Sequence, residues 1–264
     1  MPFNNEKNGI VNEIDFINAI NKKRIKDLPI NYQILILDLF KKINYYHTIY
    51  AYKNNEKQKT DIYIRLNDDI KRISIKKGVK NSVHAENITD FIHFLISNHM
   101  PRDLVIAYLK YHYADGSTNG KGNERLSNLE AKALYQKEIN EINKFLNQDH
   151  IIEKTIERFV TKGRNSTHEI DCIIYGVPED FLWILKDDIK KIIYKKKNIY
   201  STGIHVGPLF IQPQNRCINR NPLYENKRYS VQVKWYELCD NIIENMNDKK
   251  IERSQRYYKK LGEK

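Results

Sequence analysis

Apolar residues recur at helical spacing through the first fifty positions. Ile10, Ile14, Phe16, Ile17 and Ile20 form one stripe, and Ile34 to Ile43 carries a second, with Leu28-Pro29 as the break between two helices. A polar stretch, Lys53 to Lys59, follows. Asn87 to Ser97 reads as a helix on Phe91, Ile92, Phe94 and Leu95; Leu104 to Tyr113 reads as another, its Val, Ile and Tyr content leaving a strand open. Ser127 and Glu130 form a Ser-x-x-Glu capping box that predicts the start of a long amphipathic helix running to about Asn147. Ile151 to Val160 predicts a helix, Ile170 to Gly176 a compact strand, and Pro178 to Lys197 a helix carrying Phe181, Leu182, Ile184, Leu185, Ile189 and Ile192. The rest turns β-rich, with Leu209 to Gln212 and then Tyr229 to Trp235, before a last helix from about Glu237 and a charged tail, Lys249 to Lys264. Interleaved strands and helices predict an α/β fold.

The segment Thr60 to Gly78 stands apart. Two alternating runs flank a turn placed at Asp68-Asp69, a hairpin pattern. Pairing about that centre sets Asp61 opposite Lys76, Ile62 opposite Ile75, Tyr63 opposite Ser74 and Ile64 opposite Ile73. Ile62, Ile64, Leu66, Ile73 and Ile75 then share a core-facing side, while Asp61, Ser74 and Lys76 share the other, far from the turn. A carboxylate and an ammonium converge at one strand end. Taken as geometry alone, that is an ordinary cross-strand ion pair.

Composition narrows the class. At 264 residues, 41% hydrophobic and 11% aromatic, the chain can bury a core without staples. Cys172, Cys217 and Cys239 are far apart and form no Cys-x-x-Cys pair, so neither a disulfide framework nor a zinc ribbon is expected. No apolar run approaches a membrane span, and Met1 to Lys7 lacks the pattern of a secretory signal, so no membrane and a cytoplasmic location are expected. The 45 Lys and Arg exceed the 33 Asp and Glu, for a net charge of +12, which suits a polyanion partner. The abundance of Ile, Lys and Asn weakens that argument, because it points to an AT-rich genome in which lysine accumulates by codon drift.

The residues Thr60-Asp61 and Ser74-Ile75-Lys76 resemble the two halves of the motif of the PD-(D/E)xK nuclease superfamily, and the string Ile73 to Gly78 followed by Asn81 to Glu86 is similar to type II restriction-endonuclease-like proteins. The resemblance covers about the first 115 residues. It implies a mixed β-sheet core flanked by helices over 1–115, with 116–264 supplying further α/β elements for DNA recognition and dimerisation. It further implies Mg²⁺-dependent hydrolysis of double-stranded DNA at a short site by a homodimer. Asp61 would hold the metal and Lys76 would orient or deprotonate the attacking water. Thr60 stands where the family has Pro, which carries no catalytic atom. Ser74 replaces an acid, so another carboxylate must complete the site, since a divalent metal wants carboxylate oxygens. Glu13 on the first helix and Glu86 past the hairpin are the candidates.

Other segments compete or assist. Gln232 and Lys234 alternate with Val231, Val233 and Trp235, and with Asp171 upstream they form a rival site of the same logic. The loop Gly116 to Gly122 fails phosphate-loop spacing. Lys77, Lys80, Asn81, Ser82 and His84 read as a polar loop beside the site, able to contact DNA. His205, Gln212, Gln214, Asn215, Arg216, Asn219 and Arg220 read as a recognition segment. Two other functions remain open: a non-catalytic DNA-binding protein on a degenerate nuclease scaffold, and an RNA-binding or RNA-processing protein using the eighteen tyrosines as stacking surface.

Overall fold

The structure is a computed structural model that describes residues 5–41, 43–78, 81–197, 202–214 and 222–248. Its strands are β1 (Lys23–Arg24), β2 (Thr48–Lys53), β3 (Ile62–Leu66), β4 (Asp69–Lys76), β5 (Asn81–Asn87), β6 (Cys172–Val177), β7 (Asp180–Leu185), β8 (Ile204–Val206), β9 (Leu209–Pro213) and β10 (Ser230–Trp235). Its α-helices are α1 (Asn5–Ile20), α2 (Ile30–Leu39), α3 (Ile88–Ser97), α4 (Arg102–Tyr113), α5 (Asn128–Leu134), α6 (Gln136–Leu146), α7 (Asp149–Thr155), α8 (Lys186–Lys195) and α9 (Leu238–Asp248). The mixed α/β architecture matches the expectation. The chain divides into two compact units, each discontinuous: Met1–Val79, Val160–Lys190 and Glu237–Lys264 make the first, and Lys80–Phe159 with Lys191–Tyr236 the second. Residues 1–115 therefore span parts of both units. No helix among the described residues is long and apolar enough to cross a membrane.

The first unit is built on a sheet in the order β1-β2-β3-β4-β6-β7, antiparallel throughout except for the parallel pair β4–β6. One face packs on α1 and α2. Ile49, Ala51, Ile62, Ile64, Leu66, Ile73 and Ile75 meet Phe16, Ile20, Tyr32, Leu35 and Ile36 in one buried cluster that extends to Ile174, Phe181 and Trp183. Each Leu, Ile or Phe side chain among them contributes roughly 1.5–3 kcal/mol by leaving water. α1 turns a different side to the core than the stripe suggests. Ile10 and Ile14 are exposed, while Asn12, Phe16 and Ile20, spaced four apart, are buried.

The hairpin is present with its register shifted. Leu66 pairs with Asp69 and Ile62 with Ile73, so the turn is Asn67-Asp68 and not Asp68-Asp69. Asn67 takes the turn's left-handed position, φ 54°, which asparagine tolerates far better than a β-branched residue would. The shift moves each partner by two residues, and because side chains alternate with period two, the faces survive. Ile62, Ile64, Ile73 and Ile75 stay buried.

The stretch Pro178 to Lys197 is not one helix. Pro178-Glu179 make a two-residue turn, with Val177 paired to Asp180, and Phe181 to Leu185 continue as β7. This strand is apolar on consecutive positions because both its faces are covered, a pattern that periodicity alone cannot separate from a buried helix. α8 begins only at Lys186, with Asp187 and Asp188 in its first turn.

In the second unit an antiparallel sheet runs β5-β10-β9-β8. Here the polar segment expected as a loop is β5, paired with β10 from Asn87↔Ser230 to Asn81↔Trp235 across a bulge. As the edge strand it is held by its ladder to β10, and so needs few apolar side chains of its own. α3 and α4 settle as helices, with Asn87 Oδ1 accepting from the Thr89 amide as an N-cap. The Ser127–Glu130 capping box forms, but the long helix breaks at Tyr135 into α5 and α6. After α7 the chain widens into a π-helix, Ile156–Thr161.

Candidate active site

Asp61 stands where β3 begins. Its approach is held by Asn54, whose side-chain amide donates to the Thr60 carbonyl at 3.0 Å and whose backbone N–H donates to the Asp61 carbonyl at 3.0 Å. Asn54 and Thr60 are both buried. The Asp61 backbone N–H donates to the Ile73 carbonyl at 2.8 Å, fastening this end of β3 to β4. With its backbone fixed, Asp61 presents Oδ2 to β4. It accepts there from the Ser74 hydroxyl at 3.0 Å and from the Ile75 backbone N–H at 2.6 Å. Charge-assisted bonds of this kind are the stronger class.

Lys76 closes the group. Its Nζ lies 3.5 Å from Asp61 Oδ2 and donates to Ser74 Oγ at 2.8 Å and to the Ile75 carbonyl at 3.1 Å. Asp61 and Lys76 side chains each keep 22% of their surface exposed, so both reach solvent while Ser74 is buried. Ser74 therefore relays between carboxylate and ammonium, donating to one and accepting from the other.

Glu13 belongs to this neighbourhood. On α1 it lies next to buried Asn12, and its Oε2 sits 3.2 Å from Lys53 Nζ on β2. Burial, and then the Asp61 charge, raise the Glu13 carboxyl above its ordinary range, against the pull of Lys53 and Lys76. Lys53 and Asn54 carried no signal in the pattern of residues, since both open a polar stretch that looks like a linker. Asn12 was equally hidden among helix polars.

Glu86 is engaged within the second unit. On β5 in the second unit, its Oε2 accepts from Arg158 Nη2 at 2.8 Å and lies 3.2 Å from His84 Nε2, with only 5% of its side chain exposed. His84, half-buried, also rests on the Phe159 ring at 5.0 Å. Of the other residues expected to contact DNA, Lys77 and Ser82 are exposed, and Asn81 is a strand residue paired to Trp235. Lys80, Arg216 and Arg220, with Asn215 and Asn219, lie outside the described residues. His205 and Gln212 from the expected recognition segment are buried, His205 beneath Asn143 and Asn147 and Gln212 bonded to the Tyr236 hydroxyl, so neither offers its side chain to a ligand surface.

The rival residues fall in different sheets. Gln232 and Lys234 lie on β10 of the second unit, alternating with buried Val231, Val233 and Trp235 as expected. Asp171 precedes β6 in the first unit, where its Oδ2 accepts from the Arg72 backbone N–H at 2.8 Å. It borders a cavity of about 860 Å³ at the turn end of the hairpin, shared with Asp38, Asp69, Lys71 and Lys186. Asp61 and Lys76 thus meet through side chains at one end of a single hairpin, whereas Asp171 and Lys234 stand on different sheets.

No group of three or more His, Cys, Asp or Glu side chains is gathered as a metal set among the described residues. The first site offers a different donor set: the Asp61 and Glu13 carboxylates, the Ser74 hydroxyl and the Ile75 carbonyl. Magnesium, which keeps several waters and needs only one or two protein carboxylates, fits hard oxygens of this kind.

No family model matches the chain, and no curated protein matches it. Among solved structures the chain is similar to the restriction endonuclease MspI, crystallised with its cognate DNA, at 15% sequence identity over 70% of each chain with a TM-score of 0.46.

Proposed function

We propose that the protein is a Mg²⁺-dependent endonuclease that hydrolyses double-stranded DNA at a short site. The reading rests on one observation: the Asp61 carboxylate is aimed across a hairpin at Ser74 and Ile75 with the Lys76 ammonium 3.5 Å away. A structural ion pair needs no such set of bonds, because exposed pairs contribute only about 0–1 kcal/mol. Here a hydroxyl and a backbone N–H of β4 both donate to one carboxylate oxygen.

Asp61 and Glu13 would hold the ion, with Ser74 and Ile75 oxygens beside it. Bound, the metal supplies an acidified water and charge stabilisation at a phosphodiester. Lys76 has the reach to orient that water or to take its proton, and its bond to Ser74 keeps Nζ on the site side of β4. Ser74 holds Asp61 in place. A symmetric dimer would present two such sites to the two strands of a duplex.

The test is cleavage of plasmid and phage DNA with and without Mg²⁺, beside Asp61→Ala and Lys76→Ala. Discrete metal-dependent fragments, absent with both variants, support the reading. Intact DNA on every substrate overturns it. If DNA is still bound in that case, the second reading gains: a non-catalytic DNA-binding scaffold, favoured by the hydroxyl of Ser74 where an acid is wanted. Cleavage lost in Lys234→Ala and kept in Lys76→Ala would transfer the site to the second unit's sheet.

A further inference from the structure

The outward face of β2, β3 and β4 carries aromatic and guanidinium groups that neither the core nor the proposed hydrolysis uses. Tyr50 and Tyr52 alternate with buried Ile49 and Ala51 and are 41% and 42% exposed. Cross-strand pairing sets them in two rows, Tyr50–Arg65–Ile70 and Tyr52–Tyr63–Arg72. The rings of Tyr52 and Tyr63 stack with centroids 5.1 Å apart and planes 26° from parallel, and the Arg65 guanidinium lies 5.1 Å from the centre of the Tyr50 ring.

Cross-strand aromatic pairing stabilises a sheet and accounts for the contact between the rings. It does not account for the composition of the face. None of the six positions in the two rows is a carboxylate, although Asp and Glu are common in the chain. Arg72 lies 3.9 Å from Asp171, a loose pairing, and Arg65 is exposed. The face is therefore both flat-ringed and cationic. Successive outward positions on a strand stand about 7 Å apart, a gap that admits one flat ring between two others. The second row is also continuous with the candidate active site, because Arg72 precedes Ser74 by one alternation on β4.

Bases in a duplex hide their faces against one another, whereas unpaired bases expose them. Aromatic side chains stack on unpaired bases whatever the sequence, and guanidinium groups meet both the phosphates and the rings. We propose that Tyr50, Tyr52, Tyr63 and Arg65 form a platform for the unpaired bases of a single DNA strand, with Arg72 leading that strand along β4. The proposal stands apart from hydrolysis and requires only binding.

It is tested by titrating labelled oligothymidine of about 15 nucleotides, and a duplex of equal length, with the full chain in EDTA so that metal-dependent cleavage plays no part. Tyr52→Thr combined with Tyr63→Thr removes the rings and keeps β-branched side chains suited to the strand. This variant is expected to weaken single-strand binding about tenfold or more and to change duplex binding less than about twofold. Arg65→Gln should weaken single-strand binding and lower the salt slope of its logarithm by about 0.7, one phosphate's worth. Tyr52→Phe, which keeps the ring, should bind as the wild type does; where the double variant fails to fold, Arg65→Gln decides by itself, and unchanged single-strand affinity there overturns the proposal. Single-strand affinity unchanged in Arg65→Gln and in the folded double variant overturns the proposal, and is the result expected if the face seats a protein. Equal losses for single strand and duplex overturn it as well.

Discussion

The side-chain amide of Asn12 donates to the main-chain carbonyl of Gly176 at 3.0 Å. This bond ties α1 to β6 and fixes the rotation of the helix about its axis. Glu13, the next residue, is thereby turned toward Lys53 and the Asp61 charge. Asn12→Ala leaves the Gly176 carbonyl without this donor and should cost about 1–3 kcal/mol in urea unfolding. It should also shrink any rise in Tm on adding Mg²⁺, because Glu13 loses its aim. A Tm response to Mg²⁺ equal to that of the wild type would remove Glu13 from the donor set.

Gly176 is needed at its position for a steric reason. Its φ is 126°, and a Cβ there would run into the Asp180 carbonyl oxygen across the β6–β7 hairpin. Gly176→Ala should destabilise by about 2 kcal/mol or more, read as a lower urea midpoint with an unchanged slope. An unchanged midpoint would mean that the hairpin relaxes at no cost.

Ser74→Asp would place a second carboxylate against Asp61, at a buried position. Like charges in contact repel, so without metal the variant should lose several degrees of Tm. A divalent ion would join the two groups, and Mg²⁺ should restore most of the loss. Thermal unfolding in EDTA and in millimolar Mg²⁺ measures both. A deficit that Mg²⁺ leaves in place would count against this cluster as a metal site.

Glu13 also makes stability depend on pH. Burial and then Asp61 raise its carboxyl above the ordinary value of 4.5. The folded state therefore keeps this proton to higher pH than the unfolded chain. Stability falls as pH rises from about 4.5 through the raised folded value. Glu13→Gln should flatten that decline and unfold at higher temperature than the wild type at neutral pH, with the difference closing in acid. A parallel pH profile for the two proteins would show that Glu13 carries no strain.

His112 gives the opposite slope in the second unit. It is fully buried, its Nε2 donates to the Arg228 carbonyl at 3.0 Å, and burial lowers its imidazole to about 4. The unfolded chain takes up a proton near 6.5 and the folded chain does not, so stability is lost as pH falls from about 6.5 toward 4. The loss should amount to about 2–3 kcal/mol across that window. His112→Gln keeps a donor for the Arg228 carbonyl and should remove this part of the slope in urea titrations at pH 7 and pH 5.

Elements whose amphipathic pattern needs only local partners were legible. α3 begins where Asn87 caps it, and α5 begins at the Ser127–Glu130 box, because those bonds close within one turn of chain. The hairpin faces were legible for a related reason: a shift of two residues changes partners but not sides. β5 and β7 were not legible. β5 is polar and is held as an edge strand by its pairing with β10, and β7 is apolar on consecutive positions from Phe181 to Leu185.

The sequence by itself determined which residues could meet across the β3–β4 hairpin, since alternation keeps Asp61, Ser74 and Lys76 on one side under a register shift of two residues. Tertiary structure decided the surroundings of each distant acid. Glu13 and Glu86 are equal as letters. Packing of α1 against the first sheet brings Glu13 within the field of Asp61, while the second unit commits Glu86 to Arg158 and His84. Side-chain alternation is a property of the local backbone, whereas the approach of a helix to a strand end depends on contacts such as Asn12 to Gly176, made across 164 positions of chain.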